Sequence, residues 1–409
     1  MIETKQKKNA IRFILLTVFA YSMGFGIIMP VLPELIVELE GVSLSEATLI
    51  GGFIAASYAV FQFLMGPMVG NLGDRFGRRP VFLLSLAGFS VDFLLMGFAP
   101  NIIWLFVGRS IAGGLGAIFG PANAAMADIS SDEDRAKGFG LVGAAFGIGF
   151  IVGPALGGFL GEFGTRTPFF VAAGLAAVTF VYGYFAFPET MEENSRREFS
   201  FKRANPVGAL LSIKKIPGVL GISIIYLIWV TSTNIYPVVW AYFSPLKFGW
   251  DVKMVGFSLT IVGLSMALVQ VFVLARVVKR YGERITAMLG ISLAILVMLY
   301  YVFFNNGNIA LVLCLFVGFQ GMVMPSINAM MSRRTPTDQQ GELQGFNGSL
   351  AALAALFAPL IYNTTLSYYT SESIPMQFAG APFVISAVLA SIAVVSLYIL
   401  KPARKPEVL

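Results

Sequence analysis

Apolar stretches of 18 or more residues recur along the whole chain, and a backbone that crosses hydrocarbon must satisfy its own polar groups, so each crossing stretch must be a helix. Barrel strands would instead alternate in segments of about ten residues. Counting between polar breaks gives about twelve spans, each near the roughly 20 residues a crossing needs. They fall near 11–37, 47–70, 80–98, 102–128, 138–160 and 168–188, then near 217–244, 252–276, 285–304, 308–331, 343–366 and 379–400. Composition agrees: 57% hydrophobic and 12% charged residues cannot clothe a soluble surface, which makes the chain an integral membrane protein with the bilayer as partner. The expected fold is all-α, with six-helix halves at 1–188 and 216–409 joined by a charged linker at 189–215. The linker carries Glu192, Glu193, Arg196, Arg197, Lys202 and Arg203. Lys5, Lys7, Lys8 and Arg12 lead into a long first span with no small-residue cleavage site, so no cleavable signal peptide is expected.

Between the second and third spans stands Gly70-Asn71-Leu72-Gly73-Asp74-Arg75-Phe76-Gly77-Arg78-Arg79-Pro80. Glycine permits the backbone angles of a tight turn, and Pro80 suits the first turn of a new helix. A related turn occurs 205 positions later, where Gly77 maps onto Gly282, Arg75 onto Arg280 and Arg79 onto Arg284. At the same offset Pro154 falls on Pro359 and Asn123-Ala124 on Asn328-Ala329, so the chain is two related halves. Lys279 stands where Asp74 would repeat, so an ionic latch made by Asp74 is expected on one side only.

Of 28 Lys and Arg, Arg109 lies inside a span and only Arg166, Lys247 and Lys253 fall in outward loops if both termini are cytoplasmic, which leaves 24 inside. That bias fixes the expected orientation. Basic loops facing an anionic leaflet account for the net charge of +6, so no nucleic-acid partner is expected. No histidine is present, and the single cysteine, Cys314, lies in an apolar run. Imidazole and thiolate metal sites, catalytic triads and disulfides are therefore excluded, no cofactor or metal is implied, and the chain does not read as an enzyme. Any proton handling must fall to carboxylates.

Asp92 is the acidic residue deepest in a span, and twelve residues past Pro80 at a rise of about 1.5 Å place it roughly 18 Å into a core about 30 Å thick. Counting back through the turn at Ala99–Asn101 puts Arg109 at about the same depth, so the two charges can meet. A charge in hydrocarbon marks function or a static ion pair. In the fifth span, glycines at spacings of four around Gly153-Pro154 let helices approach closely and allow a kink. Tyr21, Gln62, Asn123, Asn234, Tyr236, Trp240, Gln320 and Asn328 are candidate cavity residues, concentrated in the first, fourth, seventh and tenth spans; each could equally serve helix packing.

The pattern G-x-L-x-D-R-x-G-R-R at 70–79 resembles the loop signature of major facilitator superfamily transporters. G-x-x-x-G-P-x-x-G-G at 149–158 resembles the fifth-span signature of their antiporter branch, and Gly108-Arg109-Ser110-Ile111-Ala112-Gly113-Gly114 the fourth-span arginine signature of drug/proton antiporters. Essentially the whole chain is similar to the twelve-span drug/proton antiporters, most of all to the bacterial tetracycline/proton antiporters. The resemblance implies two pseudo-symmetric six-helix halves in a bacterial inner membrane, a cavity lined by the four spans named above, and small-molecule substrates exchanged for protons. It assigns Asp92 and Arg109 to proton coupling. It assigns Gly70, Asp74, Arg75, Gly77, Arg78, Arg135, Gly153 and Pro154 to gating. Two departures stand out: Tyr21 replaces a first-span aspartate, and Gly290-Ile291-Ser292-Leu293-Ala294-Ile295 lacks a ninth-span one. An uptake carrier or facilitator is the first alternative and would explain the lost carboxylates; a non-transporting sensor or scaffold is the second, against which the short loops argue.

Overall fold

The computed structural model describes residues 4–116, 118–131, 134–196, 198, 219–336 and 339–400. The first half contains α1 (Thr4–Glu40), α2 (Leu44–Phe76), α3 (Arg78–Gly97), α4 (Ile102–Leu115), α5 (Phe119–Asp128), α6 (Arg135–Gly161) and α7 (Thr167–Ala186). The second contains α8 (Leu220–Thr233), α9 (Ile235–Phe248), α10 (Val252–Leu268), α11 (Leu274–Phe303), α12 (Gly307–Val317), α13 (Val323–Ser332), α14 (Gln340–Thr370) and α15 (Ala381–Ile399). Most of the expected linker, including Arg197, Lys202 and Arg203, lies outside the described residues.

Eleven stretches among the described residues are long and apolar enough to cross a membrane, and one of them, Val252–Phe303, has 52 residues. At about 1.5 Å per residue it would be some 78 Å long, more than twice a hydrocarbon core of about 30 Å. It is broken at Gly282, whose φ of 77° and ψ of 166° are non-helical, and the break restores twelve spans. Gly77, with φ 99° and ψ 168°, separates α2 from α3 in the same way. The two glycines are 205 residues apart, so the repeat seen in sequence is a repeat in backbone conformation.

The fourth, seventh and tenth spans are not continuous helices. They break before Phe119, at Asn234 and through a 3₁₀ turn at Gly318–Met322. Pro121, Pro237 and Pro325 each sit in the first turn after a break, where a missing N–H costs nothing. Among the described residues, Pro30, Pro33, Pro67, Pro154, Pro245 and Pro359 lie in helix interiors, beyond the first turn. The eighth span is perturbed by a π-helical turn at Val269–Val273.

The loops on the face away from Gly77 and Gly282 are tied by side-chain caps. Ser43 and Glu46 form a reciprocal capping box at α2, and Asn101, Asp251 and Asn306 accept from the first amides of α4, α10 and α12. On the outer surface Val178, Phe185 and Leu296 are exposed, as lipid-facing positions must be. The core runs through both halves. Glycines bring the helices of the seams together: a Cβ on Gly26 would lie 2.7 Å from Pro154 Cδ, and one on Gly153 would lie 2.9 Å from Gly26 Cα. On its other side α6 meets α10 at Gly158 and Gly256.

The halves meet toward the capped face. Lys253 Nζ donates to Glu162 Oε1 at 3.0 Å, Ser45 Oγ donates to the Ser367 carbonyl at 2.9 Å, and Asn363 Nδ2 donates to the Thr48 carbonyl at 2.8 Å.

Candidate functional site

Asp92 and Arg109 meet as their depths require. Asp92 is completely buried and Arg109 is 6% exposed. Arg109 Nε donates to Asp92 Oδ1 at 3.3 Å, and Nη2 pairs with Oδ2, so the carboxylate is held by both arms of the guanidinium. Gly108 makes room for this: a Cβ there would lie 2.7 Å from Asp92 Oδ1. The guanidinium carbon also lies 5.6 Å from the ring centroid of Tyr58 and 5.8 Å from that of Phe93. This is cation–π geometry in a desolvated setting.

Arg109 forms part of the wall of a cavity of about 370 Å³ between the halves. Asp92 stands behind it. Tyr21, Tyr58 and Gln62 form a hydrogen-bonded row on the same wall. The Tyr21 and Tyr58 hydroxyls lie 2.7 Å apart, and Gln62 Nε2 donates to the Tyr58 hydroxyl at 3.2 Å. Asn234 faces the row from the second half, at the junction of α8 and α9, with its amide donating back to the Val230 carbonyl at 2.7 Å. Phe146, Phe150 and Tyr242 supply aromatic surface. The lining is thus largely apolar with a few convergent polar groups, as sites for small amphipathic molecules are.

Three predicted cavity residues, Tyr21, Gln62 and Asn234, line this space; Asn123, Tyr236, Trp240, Gln320 and Asn328 do not. Trp240 is 1% exposed and donates from Nε1 to Ser258 Oγ at 2.9 Å, and Tyr236 is buried against the Trp240 and Phe383 rings. Gln320 is buried in the 3₁₀ turn, which packs onto α10 and the π-helical turn through Gly318 and Gly321. Asn328 accepts from Asn347 Nδ2 at 3.1 Å, tying α13 to α14. Asn123 is half-buried on α5. The tenth span therefore contributes nothing to the lining, while α2, α6 and α14, which form the seams, do. Tyr58 is a cavity residue that sequence reasoning misses. Its one signal is its position a helical turn before Gln62.

At the glycine turn, Arg78 is the centre of the charge cluster. Its Nη1 donates to Asp74 Oδ1 at 2.8 Å and its Nε to Asp128 Oδ2 at 3.1 Å. Its backbone N–H and that of Arg79 donate to Glu189 at 2.7 and 3.2 Å, which caps α3. Arg75 is exposed beside the Phe76 ring, Gly70 is clear of neighbours and Arg135 is exposed at the start of α6.

The ionic latch made by Asp74 is one-sided, as expected, but a second ion pair of the same turn repeats. At the repeat offset Arg78 becomes Glu283 and Asp128 becomes Arg333, and these two also pair. Each half therefore fastens its turn to the end of its own fourth span with the signs exchanged. The Asp74 arm has no repeat, because Lys279 replaces it.

The family model described as Major Facilitator Superfamily matches residues 14–359 and 246–409. The chain is 34% identical to tetracycline resistance protein, class C, of Escherichia coli, over 94% of this chain and 95% of that protein. It is 36% identical to the class B protein of Escherichia coli, over 83% and 84%. Among solved structures, that of a single-residue mutant of the nucleoside transporter NupG superposes with a TM-score of 0.80 at 13% identity, covering 96% of this chain and 99% of that one, a likeness of fold. With the family model matched over nearly its whole length, the chain belongs to the Major Facilitator Superfamily, among relatives that include the tetracycline resistance proteins.

Proposed function

We propose that the protein is a secondary transporter of a bacterial inner membrane, with both termini in the cytoplasm, that exports small amphipathic compounds in exchange for protons by alternating access. The observation that carries this reading is the fully buried Asp92 paired with an arginine that also walls the central cavity. When Asp92 takes a proton, Arg109 loses its counter-charge and its full positive charge is felt at the wall beside Tyr58. A compound seated there with positive charge about 6 Å away is repelled by about 3 kcal/mol at an effective dielectric of 20, roughly a hundredfold in affinity. Proton and compound then exclude one another. For a compound that places positive charge there, exchange rather than co-transport follows from that sign.

On this reading residues 1–188 and 216–409 are the two moving halves, with 189–215 linking them. Asp74, Arg75, Arg78 and Arg135, with Gly70 and Gly77, form the cytoplasmic gate. Gly153 and Pro154 are the flexible point of α6 against α1, where Gly26 allows close approach. Tyr21, Gln62 and Asn234 orient the compound, and the aromatic wall supplies most of the binding surface. The test is accumulation in proteoliposomes under an imposed pH gradient, with tetracycline and a panel of lipophilic compounds as probes. Uptake that requires the gradient and collapses with a protonophore is expected; equilibration indifferent to the gradient would identify a facilitator.

A further inference from the structure

A second cavity, of about 600 Å³, opens beside Gly282 on the same membrane face as the glycine turn at Gly77. Arg284, Arg333 and Arg334 line it against the single acid Glu283, and Met288 and Met330 form part of its apolar floor. The repeat shows what chemistry suits this place. In the first half the Glu189 carboxylate takes the amides at the start of α3 and lies against Gly77, its Cδ 2.5 Å from where a Cβ would be. At Gly282, with nearly the same backbone angles, a Cβ would meet nothing within 4 Å. The segment after Gly282 runs as helix to Phe303, so its start presents the positive end of a helix dipole beside Arg284 and Arg334, while Arg333 is paired with Glu283. Arg334 is held below its ordinary pKa first by burial and then by the neighbouring charge of Arg284.

We propose that this cavity binds the phosphodiester headgroup of an anionic phospholipid. The cavity is basic at its head and apolar at its floor, and it sits where a bilayer's headgroups lie. Ile285, Leu289 and Leu296 continue from it as an exposed apolar stripe on α11, a track for an acyl chain. The residues after Leu400, outside the described structure, carry Lys401, Arg404 and Lys405 against Glu407. Their net side-chain charge has the sign of the cavity, which makes them a poor occupant. A bound phosphodiester bridges Arg284 and Arg334 and ties the ninth span to the end of α13, as Glu189 ties the third span to the end of α7.

The experiment is native mass spectrometry of the full-length protein, delipidated in neutral detergent and titrated with phosphatidylglycerol, phosphatidylcholine or inorganic phosphate. One phosphatidylglycerol is expected to be retained in preference to phosphatidylcholine. Retention should weaken roughly tenfold in Arg334→Gln, which removes a charge-assisted contact, and also in Met288→Trp, which fills the floor and keeps every charge. Should Arg334→Gln fail to fold, the Met288→Trp variant carries the comparison. Equal retention in wild type and variants overturns the proposal. So does competition by inorganic phosphate at the same concentration as the lipid, which would mark a free-anion site. Retention that appears only in a Glu407→Gln chain would assign the cavity to the tail and overturn it too.

Discussion

Replacing Asp92 by asparagine keeps the side-chain volume and deletes the charge, leaving the 6%-exposed Arg109 with no anion in its buried cluster. Removing one member of a buried pair costs about 3–5 kcal/mol, most of it the burden of the stranded charge. The rings of Tyr58 and Phe93 still flank the guanidinium in the variant, so the stranded charge keeps its aromatic contacts and the fold survives. Asp92→Asn should therefore fold, melt at a lower temperature in detergent than wild type, bind compound weakly and fail to accumulate it against a gradient. The double variant Asp92→Asn with Arg109→Gln removes the stranded charge and should regain most of the lost stability while remaining unable to accumulate. Thermal unfolding and vesicle uptake under an imposed pH gradient measure the two quantities on the same preparations. A static ion pair predicts that uptake returns with stability in the double variant, and that result would refute a proton-handling role for Asp92.

Three further outcomes can be checked separately. Asp74→Asn removes one of the two carboxylates on Arg78 but leaves Asp128, so expression should survive while transport falls and cysteine-labelling access from the Gly77 face rises; unchanged transport and access would take Asp74 out of the gate. Gly153→Ala places a methyl 2.5 Å from the Met23 carbonyl and 2.9 Å from Gly26 Cα, an overpacking that costs about 1–3 kcal/mol and should lower folded yield, whereas Gly147→Ala, with open space at that position, should not. A reporter active only in the cytoplasm should work when inserted near residue 195 and stay silent in Ser371–Ser373; the reverse pattern would invert the orientation derived from the Lys and Arg bias.

Much of the architecture was legible because membrane spans are written in length and hydropathy, and the repeat in glycine and arginine. Gly77 and Gly282 were paired by identity, and their φ values of 99° and 77° explain why identity was kept. Arg78–Asp128 and Glu283–Arg333 were not paired, because an ion pair works with its signs exchanged and a search for identical residues passes over it. The meeting of Asp92 and Arg109 followed from helix rise alone. The cavity wall did not: which of Tyr21, Trp240 or Gln320 faces a central space depends on how the halves tilt, and their closure toward the capped face brings α2 and α14 into the lining in place of the tenth span. Helix breaks at Asn234 and Gly318–Met322 also turn side chains off the faces that an unbroken helix would give them.

The central claim is that compound and proton exclude each other through Asp92 and Arg109, and it is tested most directly without any membrane gradient. Purified protein in weakly buffered detergent, at each of a series of pH values, is mixed with a transported compound while a pH dye reports protons. The account predicts compound-dependent proton release in wild type and none in Asp92→Asn. Proton uptake on binding, or release of the same size in the variant, would contradict it.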